Sequence, residues 1–430
     1  MKFSRLAAGA CAAIGLTLIC GCGDIFRPVA TPLPQPSPDP QNFRLAVIAS
    51  CELDPAATDP LNPCLATANT SQVTDLNVSG DSVEAIVPVG SSPVFALVQN
   101  QAGVNVQVTT TDYSGSTVTQ HTDSHIGTSS SVSAASTVGL PANAKPVSVA
   151  NANGTFYVAE SGRNVVGVLR GFPLALDSEI SVGTTPVNVT LLPNQKEIYV
   201  LNKASGTVTV ISTADNSILA TVTVGTNPVW AVPSADSSRV FVVNQGSGNV
   251  SVIDATSHTA IATIQVGTSP NYAVFDSKNQ RVLVTNSGSG TLSLINGDPT
   301  SPQFETVRSV AVGTNPQSVT ALADGTRIYV ANTGSNSVSV INSLNLAVTK
   351  TIPVGTAPVS ISSDSDSTKV YTANRDSKDV SVILTSTDAE STDSSGNPRR
   401  IKAPQVDPTC APATPTTCPH LSPIFVAVAG

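Results

Sequence analysis

A Val-Gly-Thr-x-Pro segment recurs along this chain, and in every full copy an asparagine follows sixteen residues after the proline. The glycines of the five full copies are separated by 42, 42, 46 and 42 residues, and they are Gly183, Gly225, Gly267, Gly313 and Gly355. A period of about 40 to 45 residues made of short strands is typical of a β-propeller blade. Stacked repeats of this kind form one continuous body, so the length of 430 residues does not require several domains.

Each repeat has the pattern of four strands. In the copy that begins at Pro228, a first strand starts at the proline and a second ends at Asn244. A Gly/Ser turn, a third strand from Asn249 to Asp254 and a fourth from Ala260 to Val266 follow. The alternation of apolar and polar residues in these runs favours half-buried strands. Proline suits the entrance to the first strand because it fixes φ and needs no ladder partner there, and glycine is expected to supply the turn before it.

Weaker copies extend the series in both directions. Seven entrance prolines can be aligned, and they are Pro93, Pro146, Pro186, Pro228, Pro270, Pro316 and Pro358. Residues 43 to 90 supply an eighth unit if Leu65–Asn69 and Gln72–Leu76 are its second and third strands. The apolar segment Ile424–Val428 is expected to add the strand that closes the ring. The sequence therefore predicts an all-β fold over residues 43–430, a propeller of eight four-stranded antiparallel blades, with seven blades as the alternative.

The ends of the second strands resemble the repeats of YVTN-type β-propeller proteins. The residues that carry the resemblance are Tyr199-Val200-Leu201-Asn202, Phe241-Val242-Val243-Asn244, Val284-Thr285-Asn286, Tyr329-Val330-Ala331-Asn332 and Tyr371-Thr372-Ala373-Asn374. The match covers residues 183–384 well and residues 43–182 loosely. It implies a propeller located outside the cytoplasm, usually without a defined activity, and it transfers no catalytic residue to this chain.

The N-terminal segment has the features of an export signal. Lys2 and Arg5 precede a short apolar run, which ends in Ile19-Cys20-Gly21-Cys22 and resembles the lipobox of bacterial lipoproteins. That resemblance implies a signal peptide over residues 1–21, a lipidated Cys22 and a protein anchored by lipid in the bacterial cell envelope. An ordinary secretory signal, or cleavage before Cys20, is the alternative, which mass spectrometry of the mature N-terminus would distinguish. Residues 22–42 are rich in proline and are expected to form an extended tether.

Four cysteines remain after the signal and the lipidated residue. An even number in an exported protein predicts disulfide bonds. The favoured pairs are local, Cys51 with Cys64 and Cys410 with Cys418, because each would close a proline-rich loop. A bridge between the two ends of the chain is the competing arrangement.

Composition excludes one class of partner. Only 12% of the residues are charged and the net charge is −8, so the surface does not attract polyanions and nucleic acid is not an expected partner.

Aromatic residues are rare, and three of them share one position in the repeat. Phe95, Trp230 and Tyr272 each lie two residues after an entrance proline, on strands expected to line the central channel. They are the candidate ligand-binding residues, because ligand sites combine large apolar groups with a few polar ones in a concave surface. The alternative is that they pack between blades.

Other recurring or clustered polar residues have simpler interpretations. The recurring asparagines are expected to stabilise the following turn rather than bind a ligand. A basic residue begins most second strands, and local aspartates, Asp236 among them, are expected to balance it. His121, Asp123 and His125 would share one face of a strand, but their Ser/Thr-rich surroundings predict solvent-exposed histidines. The sequence therefore assigns no metal, cofactor or catalytic residue.

Insertions between strands offer one hint about a binding face. The long additions are Cys51–Cys64, Gly297–Gln303 and Thr385–Ser422, and all three are expected on the face opposite the glycine–proline entrances. Variation in loop length confined to one face often marks the binding face of a repeat protein.

The predicted function is that of a lipid-anchored, non-enzymatic binding or scaffold module, with an unidentified protein or small-molecule ligand. A propeller enzyme, lactonase-like or quinone-dependent, with its site in the channel is the first alternative. A structural component of a surface coat is the second.

Overall fold

The structure is a computed structural model that describes residues 45–57, 64–65, 71–100, 105–126, 129–171, 173–405 and 420–428. Eight antiparallel sheets follow one another along the chain and form an eight-bladed β-propeller, which confirms the predicted fold and the larger blade count. Among the described residues, the one helix is a 3₁₀ turn at Thr333–Ser335. No described helix has the length and apolar character needed to cross a membrane. The predicted signal peptide, the predicted lipidation site Cys22 and the predicted tether lie outside the described residues.

The blades are numbered in chain order and their strands are given from the channel outward. Blade 1 contains β34 (Ser422–Val428), β1 (Leu45–Cys51), β2 (Gln72–Asn77) and β3 (Ser82–Pro88). Blade 2 contains β4 (Pro93–Asn100), β5 (Asn105–Asp112), β6 (Thr117–Ile126), and β7 (Ser129–Val132) with β8 (Ser136–Gly139). Blade 3 contains β9 (Pro146–Ala152), β10 (Thr155–Glu160), β11 (Val165–Arg170) and β12 (Ala175–Ser181). Blade 4 contains β13 (Pro186–Leu191), β14 (Glu197–Asn202), β15 (Thr207–Ser212) and β16 (Ile218–Thr223).

The second half of the ring repeats this plan. Blade 5 contains β17 (Pro228–Pro233), β18 (Arg239–Asn244), β19 (Asn249–Asp254) and β20 (Thr259–Gln265). Blade 6 contains β21 (Pro270–Asp276), β22 (Arg281–Asn286), β23 (Thr291–Asn296) and β24 (Val307–Ala311). Blade 7 contains β25 (Pro316–Ala321), β26 (Arg327–Asn332), β27 (Ser337–Asn342) and β28 (Val348–Pro353). Blade 8 contains β29 (Pro358–Ser363), β30 (Lys369–Asn374), β31 (Asp379–Leu384), and β32 (Ala389–Glu390) with β33 (Arg400–Lys402).

The ring is closed by strands from the two ends of the chain. β34 takes the innermost place in blade 1 and pairs antiparallel with β1, from Ala46 opposite Val428 to Cys51 opposite Ser422. It also contacts the innermost strands of blades 8 and 2, which makes the circle of eight innermost strands continuous. The prediction that the C-terminal segment closes the ring is confirmed. The assignment of Leu65–Asn69 as the second strand of this unit is wrong, because β1 occupies that place and pairs directly with β2.

The disulfide between Cys51 and Cys64 confirms one of the two local pairs. It closes a loop between the second and third strands of blade 1, and both cysteines are buried. The pair Cys410–Cys418 lies outside the described residues.

The insertions do not share one face. Strands alternate in direction, so the loops that join second to third strands lie on the same face as the entrance prolines. β1 ends and β2 begins on this entrance face, and β33 ends and β34 begins there as well. Gly297–Gln303, between β23 and β24, lies on the opposite face as predicted. The predicted single face for all three insertions is wrong, since one insertion was assigned to the wrong turn and another spans two turns.

Neighbouring blades are joined by buried tyrosines of the second strands. Four of these rings are fully buried, and they belong to Tyr157, Tyr199, Tyr329 and Tyr371. The hydroxyl groups of three reach a turn of the next blade, where Tyr157 donates to Asn216, Tyr329 to Asp388 and Tyr371 to Asp81. A buried ring with a bonded hydroxyl joins two blades through both apolar contact and a directional bond.

The entrance glycines are required by close packing rather than by the shape of the turn. Their φ angles are not positive, unlike those of Gly206 and Gly248 in the later turns. A Cβ added at any of the five would lie 2.5–2.7 Å from the side-chain Cγ of the asparagine in the same blade. The predicted turn role is therefore wrong, because the asparagine side chain occupies the space where a Cβ would be.

We expect Gly225→Ala to destabilise the protein by about 1–3 kcal/mol, because the new methyl group meets the buried Asn244 side chain. Gly139→Ala is the matched control: nothing lies within 4 Å of its Cβ position, and its effect should stay within about 0.5 kcal/mol. Urea unfolding of both variants measures the difference. Equal stability of the two variants would contradict the close-packing explanation.

Candidate functional site

A cavity of about 390 Å³ lies at the mouth of the central channel on the entrance face. Residues of all eight blades line it. Most of them are the first or second residue after an entrance proline, and the rest include Lys203 and Gln245, which begin the turns after the second strands of blades 4 and 5. The volume falls within the range of about 300–1,000 Å³ that is usual for small-ligand sites.

A β-bulge in each innermost strand explains why two consecutive residues can face this cavity. In all eight blades the pairing between the first and second strands shifts by one residue just after the entrance proline. A bulge redirects a side chain that regular pleating would place on the other face of the strand. The repeat therefore supplies two rings of lining residues, one at each of the two positions after the proline.

The structure brings the three candidate aromatic residues to this cavity. The ring centroids of Phe95 and Trp230 are 6.3 Å apart, and those of Trp230 and Tyr272 are 4.7 Å apart. Phe95 lies in blade 2, whereas the other two lie in blades 5 and 6 on the far side of the ring. The aromatic rings therefore meet across the channel and form an apolar floor beneath its mouth.

A fourth aromatic residue of this floor was missed by the sequence analysis. Phe425 packs against Phe95 with ring centroids 5.6 Å apart, and it also lines the cavity. The available signal was Pro423, which places Phe425 two residues after an entrance proline once the C-terminal strand is included in the repeat. We name Phe95, Trp230, Tyr272 and Phe425 the channel aromatic cluster.

In blades without an aromatic residue at the second position after the entrance proline, polar side chains at that position join neighbouring blades. The hydroxyl group of Ser318 accepts a hydrogen bond from the Ile361 backbone N–H in the next blade, and Ser148 accepts one from Val189 in the same way. Trp230 makes a similar contact to blade 6. Its indole N–H donates to the carbonyl of Ala273 at 2.9 Å, and Ala273 holds the position in its blade that Ile361 and Val189 hold in theirs. The indole is thus held in a fixed orientation with the rest of its ring in the cavity.

The polar lining is concentrated beside Tyr272. Asn271 donates to the side-chain and backbone oxygens of Gln317, at 3.0 and 3.1 Å. Burial raises the pKa of Tyr272 to about 12, so its hydroxyl group is protonated at neutral pH and can donate a hydrogen bond. Lys203 adds an ammonium group at the rim. The cavity thus combines an aromatic floor with amide, hydroxyl and ammonium groups.

The recurring asparagines have a structural role, as predicted, but their amide nitrogens bond to side chains of the third strand rather than to the backbone of the following turn. In blades 4 to 8 the amide nitrogen donates to side-chain oxygens five and seven residues later, as Asn202 does to Thr207 at 3.2 Å and to Thr209 at 2.9 Å. The other four asparagines, Asn244, Asn286, Asn332 and Asn374, make the equivalent pair of bonds and are fully buried. The amide nitrogens are therefore engaged within their own blades, which supports a structural role.

Acidic residues replace this asparagine in two blades. Asp112 of blade 2 accepts hydrogen bonds from Thr117 and Thr119, which reverses the direction of the same bonds. Burial raises the pKa of Asp112 to about 6 despite these bonds. Glu160 of blade 3 is one carbon longer, and Gly167 faces it where other blades have Ser or Thr. Burial likewise raises the pKa of Glu160 to about 7.

The basic residues at the start of the second strands form ion pairs of two kinds. Arg239 pairs with Asp254 and Arg281 with Asp276 inside their own blades. Arg327 forms an ion pair with Asp388, and Lys369 forms one with Asp81, in each case in the next blade. The prediction of local balance by aspartates in the preceding turn is wrong for these pairs. Asp236, for example, bonds to serine hydroxyl groups of its own turn.

His121 is buried, so the prediction of a solvent-exposed histidine is wrong. Its Nε2 atom lies 2.7 Å from Oδ2 of Asp75, a residue of blade 1, and Asp123 lies beside both. Burial and the neighbouring Asp75 carboxylate raise the pKa of Asp123 to about 8. The sequence could not show this group, because Asp75 is more than forty residues away and belongs to another blade. The side chain of His125 lies outside the described part of the chain.

Comparison with solved structures finds other bacterial β-propellers. AztD from Citrobacter koseri is similar with a TM-score of 0.60 at 11% identity, over 90% of this chain and 98% of that one. A protein from Lactobacillus plantarum has a TM-score of 0.55 at 12% identity, over 90% of this chain and 99% of that one. A Bacteroides fragilis protein provisionally assigned as a 6-phosphogluconolactonase has a TM-score of 0.54 at 12% identity, over 91% of this chain and 99% of that one. What these proteins share with this chain is the propeller fold. No protein-family model matches the sequence, and no curated protein matches it significantly.

The buried Asp112 should make stability depend on pH. Its raised pKa means that the folded state holds the proton of Asp112 more tightly than the unfolded state does. The resulting contribution to the free energy of unfolding is fully present below about pH 4 and is lost as the pH rises through about 6. Relative to Asp112→Asn, the wild type should therefore lose about 3 kcal/mol of unfolding free energy between these limits. Urea unfolding at several pH values gives the two curves.

Asn202→Asp is the matched converse, because threonines occupy the same two positions after it. It should introduce a similar loss of stability over the same pH range. Parallel curves for the wild type and Asp112→Asn would contradict the explanation, since residues common to both proteins cancel in the difference.

Proposed function

We propose that this protein is a non-enzymatic binding module that holds a small, ring-bearing apolar ligand in the mouth of its channel. The channel aromatic cluster carries the proposal. Four large rings gathered under an open cavity expose apolar surface to water at a place where the other blades have serine or asparagine. Aromatic rings gain from stacking against a planar apolar ligand, and the neighbouring amides and Lys203 can orient its polar groups.

The proposal includes a location and a repeat type. Lipidation at Cys22 and the tether of residues 22–42 would hold the propeller on a membrane surface outside the bacterial cytoplasm. Support comes from the charged start, the short apolar run and the small residue before the cysteine. The YVTN type is supported by the asparagines of that motif, which make the same pair of hydrogen bonds in blades 4 to 8, and by its tyrosine rings, which are fully buried. Neither the enzyme nor the surface-coat alternative gains an observation in its favour from the described residues.

The single tryptophan makes the site directly measurable. Trp230 is the one tryptophan of the chain, so its fluorescence reports on the cavity alone. We expect anilinonaphthalene sulfonate, a ring-bearing anion, to bind with one-to-one saturation and to accept energy from the excited indole. Phe95→Ala and Tyr272→Ala should each weaken binding of the dye by about tenfold, because a ring contact contributes about 0.5–1.5 kcal/mol beyond its buried area. Circular dichroism melts show whether each variant remains folded.

Leu344→Ala is the control, since this leucine is 89% exposed on the opposite face and should not affect a dye bound in the channel. Two results would contradict the proposal. One is dye binding that does not saturate. The other is unchanged affinity in Phe95→Ala together with a lower melting temperature, which would assign the cluster to packing between blades.

A further inference from the structure

Three ionisable side chains meet in the interior between blades 1 and 2, away from the channel cavity. His121 and Asp123 are two residues apart on β6 and point to the same side of that strand. Asp75 comes from β2 of blade 1. One potential ligand atom from each residue lies within 4.8 Å of the other two, and the three residues are 0–2% exposed.

Protein hydrogen bonds satisfy only part of this group. His121 pairs with Oδ2 of Asp75. Oδ1 of Asp75 and both carboxylate oxygens of Asp123 are buried and have no hydrogen-bond partner among the described residues. Buried carboxylates are normally paired or coordinate a metal, because an isolated charge in the interior is strongly unfavourable. Three such oxygens beside one imidazole form a donor set that can coordinate a cation.

The donor atoms define the class of cation. One imidazole nitrogen and carboxylate oxygens from two aspartates, without sulfur, suit a divalent first-row transition ion such as zinc. Two ionised carboxylates and a neutral histidine carry a charge of −2, which such an ion neutralises. A metal ion would replace the proton between His121 and Asp75 and coordinate the carboxylate oxygens that have no hydrogen-bond partner within the described segments.

We propose that Asp75, His121 and Asp123 bind one divalent transition-metal ion that joins blade 1 to blade 2. The ion would act at a sensitive place in the ring, because blade 1 is assembled from both ends of the chain. Its role is structural, since all three side chains are buried. A group held by shared protons, without a metal ion, is the competing arrangement that the experiment must distinguish.

The test is a titration of the untagged full chain with Zn²⁺ after dialysis against a chelator, followed by isothermal calorimetry at neutral pH. We expect one equivalent to bind and the melting temperature to rise with zinc concentration. The isosteric Asp123→Asn and the variant His121→Ala should weaken binding by roughly 100-fold or more, because even partners outside the ligand shell typically contribute 10- to 100-fold.

His258→Gln is the matched control. His258 also pairs with a carboxylate of another blade, Glu197 at 3.2 Å, but it belongs to no cluster of three metal-binding side chains among the described residues. This variant should bind zinc as the wild type does. X-ray absorption of the zinc-loaded wild type should show one imidazole and otherwise oxygen donors, and this measurement needs no variant that might fail to fold.

Three results would overturn the proposal. The first is a wild type that binds no stoichiometric zinc, which would mean that protons alone hold the group together. The second is undiminished binding in Asp123→Asn and His121→Ala, which would place the ion elsewhere. The third is sulfur scattering in the absorption spectrum, which would assign the zinc to cysteines.

Discussion

The pairing of β34 with β1 is the interaction on which the rest of this structure depends. Seven blades are built from consecutive strands, whereas blade 1 takes its innermost strand from the C-terminus and the other three from the N-terminal side. Without that strand the circle of innermost strands would be interrupted, and β1 would present unpaired backbone groups toward the channel. Closure also places Phe425 beside Phe95, so the same strand completes the floor of the channel.

Within each blade, a small set of contacts repeats with limited variation. The asparagine that ends the second strand fills the space above the entrance glycine and donates to two hydroxyl-bearing or carbonyl-bearing side chains of the third strand. Where the asparagine changes, its surroundings change with it: threonines donate to Asp112, and Gly167 makes room for Glu160. These compensations keep the blade geometry constant while introducing buried acids. The repeat thus tolerates substitution at one position only when the facing position adapts.

The sequence was sufficient for whatever recurs with the period of the repeat. It predicted the blades, the closing strand, the position of Phe95, Trp230 and Tyr272, and the local Cys51–Cys64 pair. It was insufficient where a contact joins different blades without a repeated pattern, as for Asp75 with His121. It also failed in blade 1, where the long Cys51–Cys64 insertion separates β1 from β2 and β1, not Leu65–Asn69, is the second strand. Periodicity identifies equivalent positions, but it does not show which unlike side chains meet across the boundary between blades.

Amide hydrogen exchange read by mass spectrometry tests the closure of the ring most directly. If β34 and β1 form the inner part of blade 1, the peptide covering Ser422–Val428 should be as protected as the one covering β17 (Pro228–Pro233), which is also an innermost strand paired on one side. The peptide covering Leu45–Cys51 should be as protected as the one covering β18 (Arg239–Asn244), since both strands are paired on both sides. Exchange of Ser422–Val428 at the rate of an unstructured peptide, while β18 stays protected, would contradict the closed eight-bladed ring.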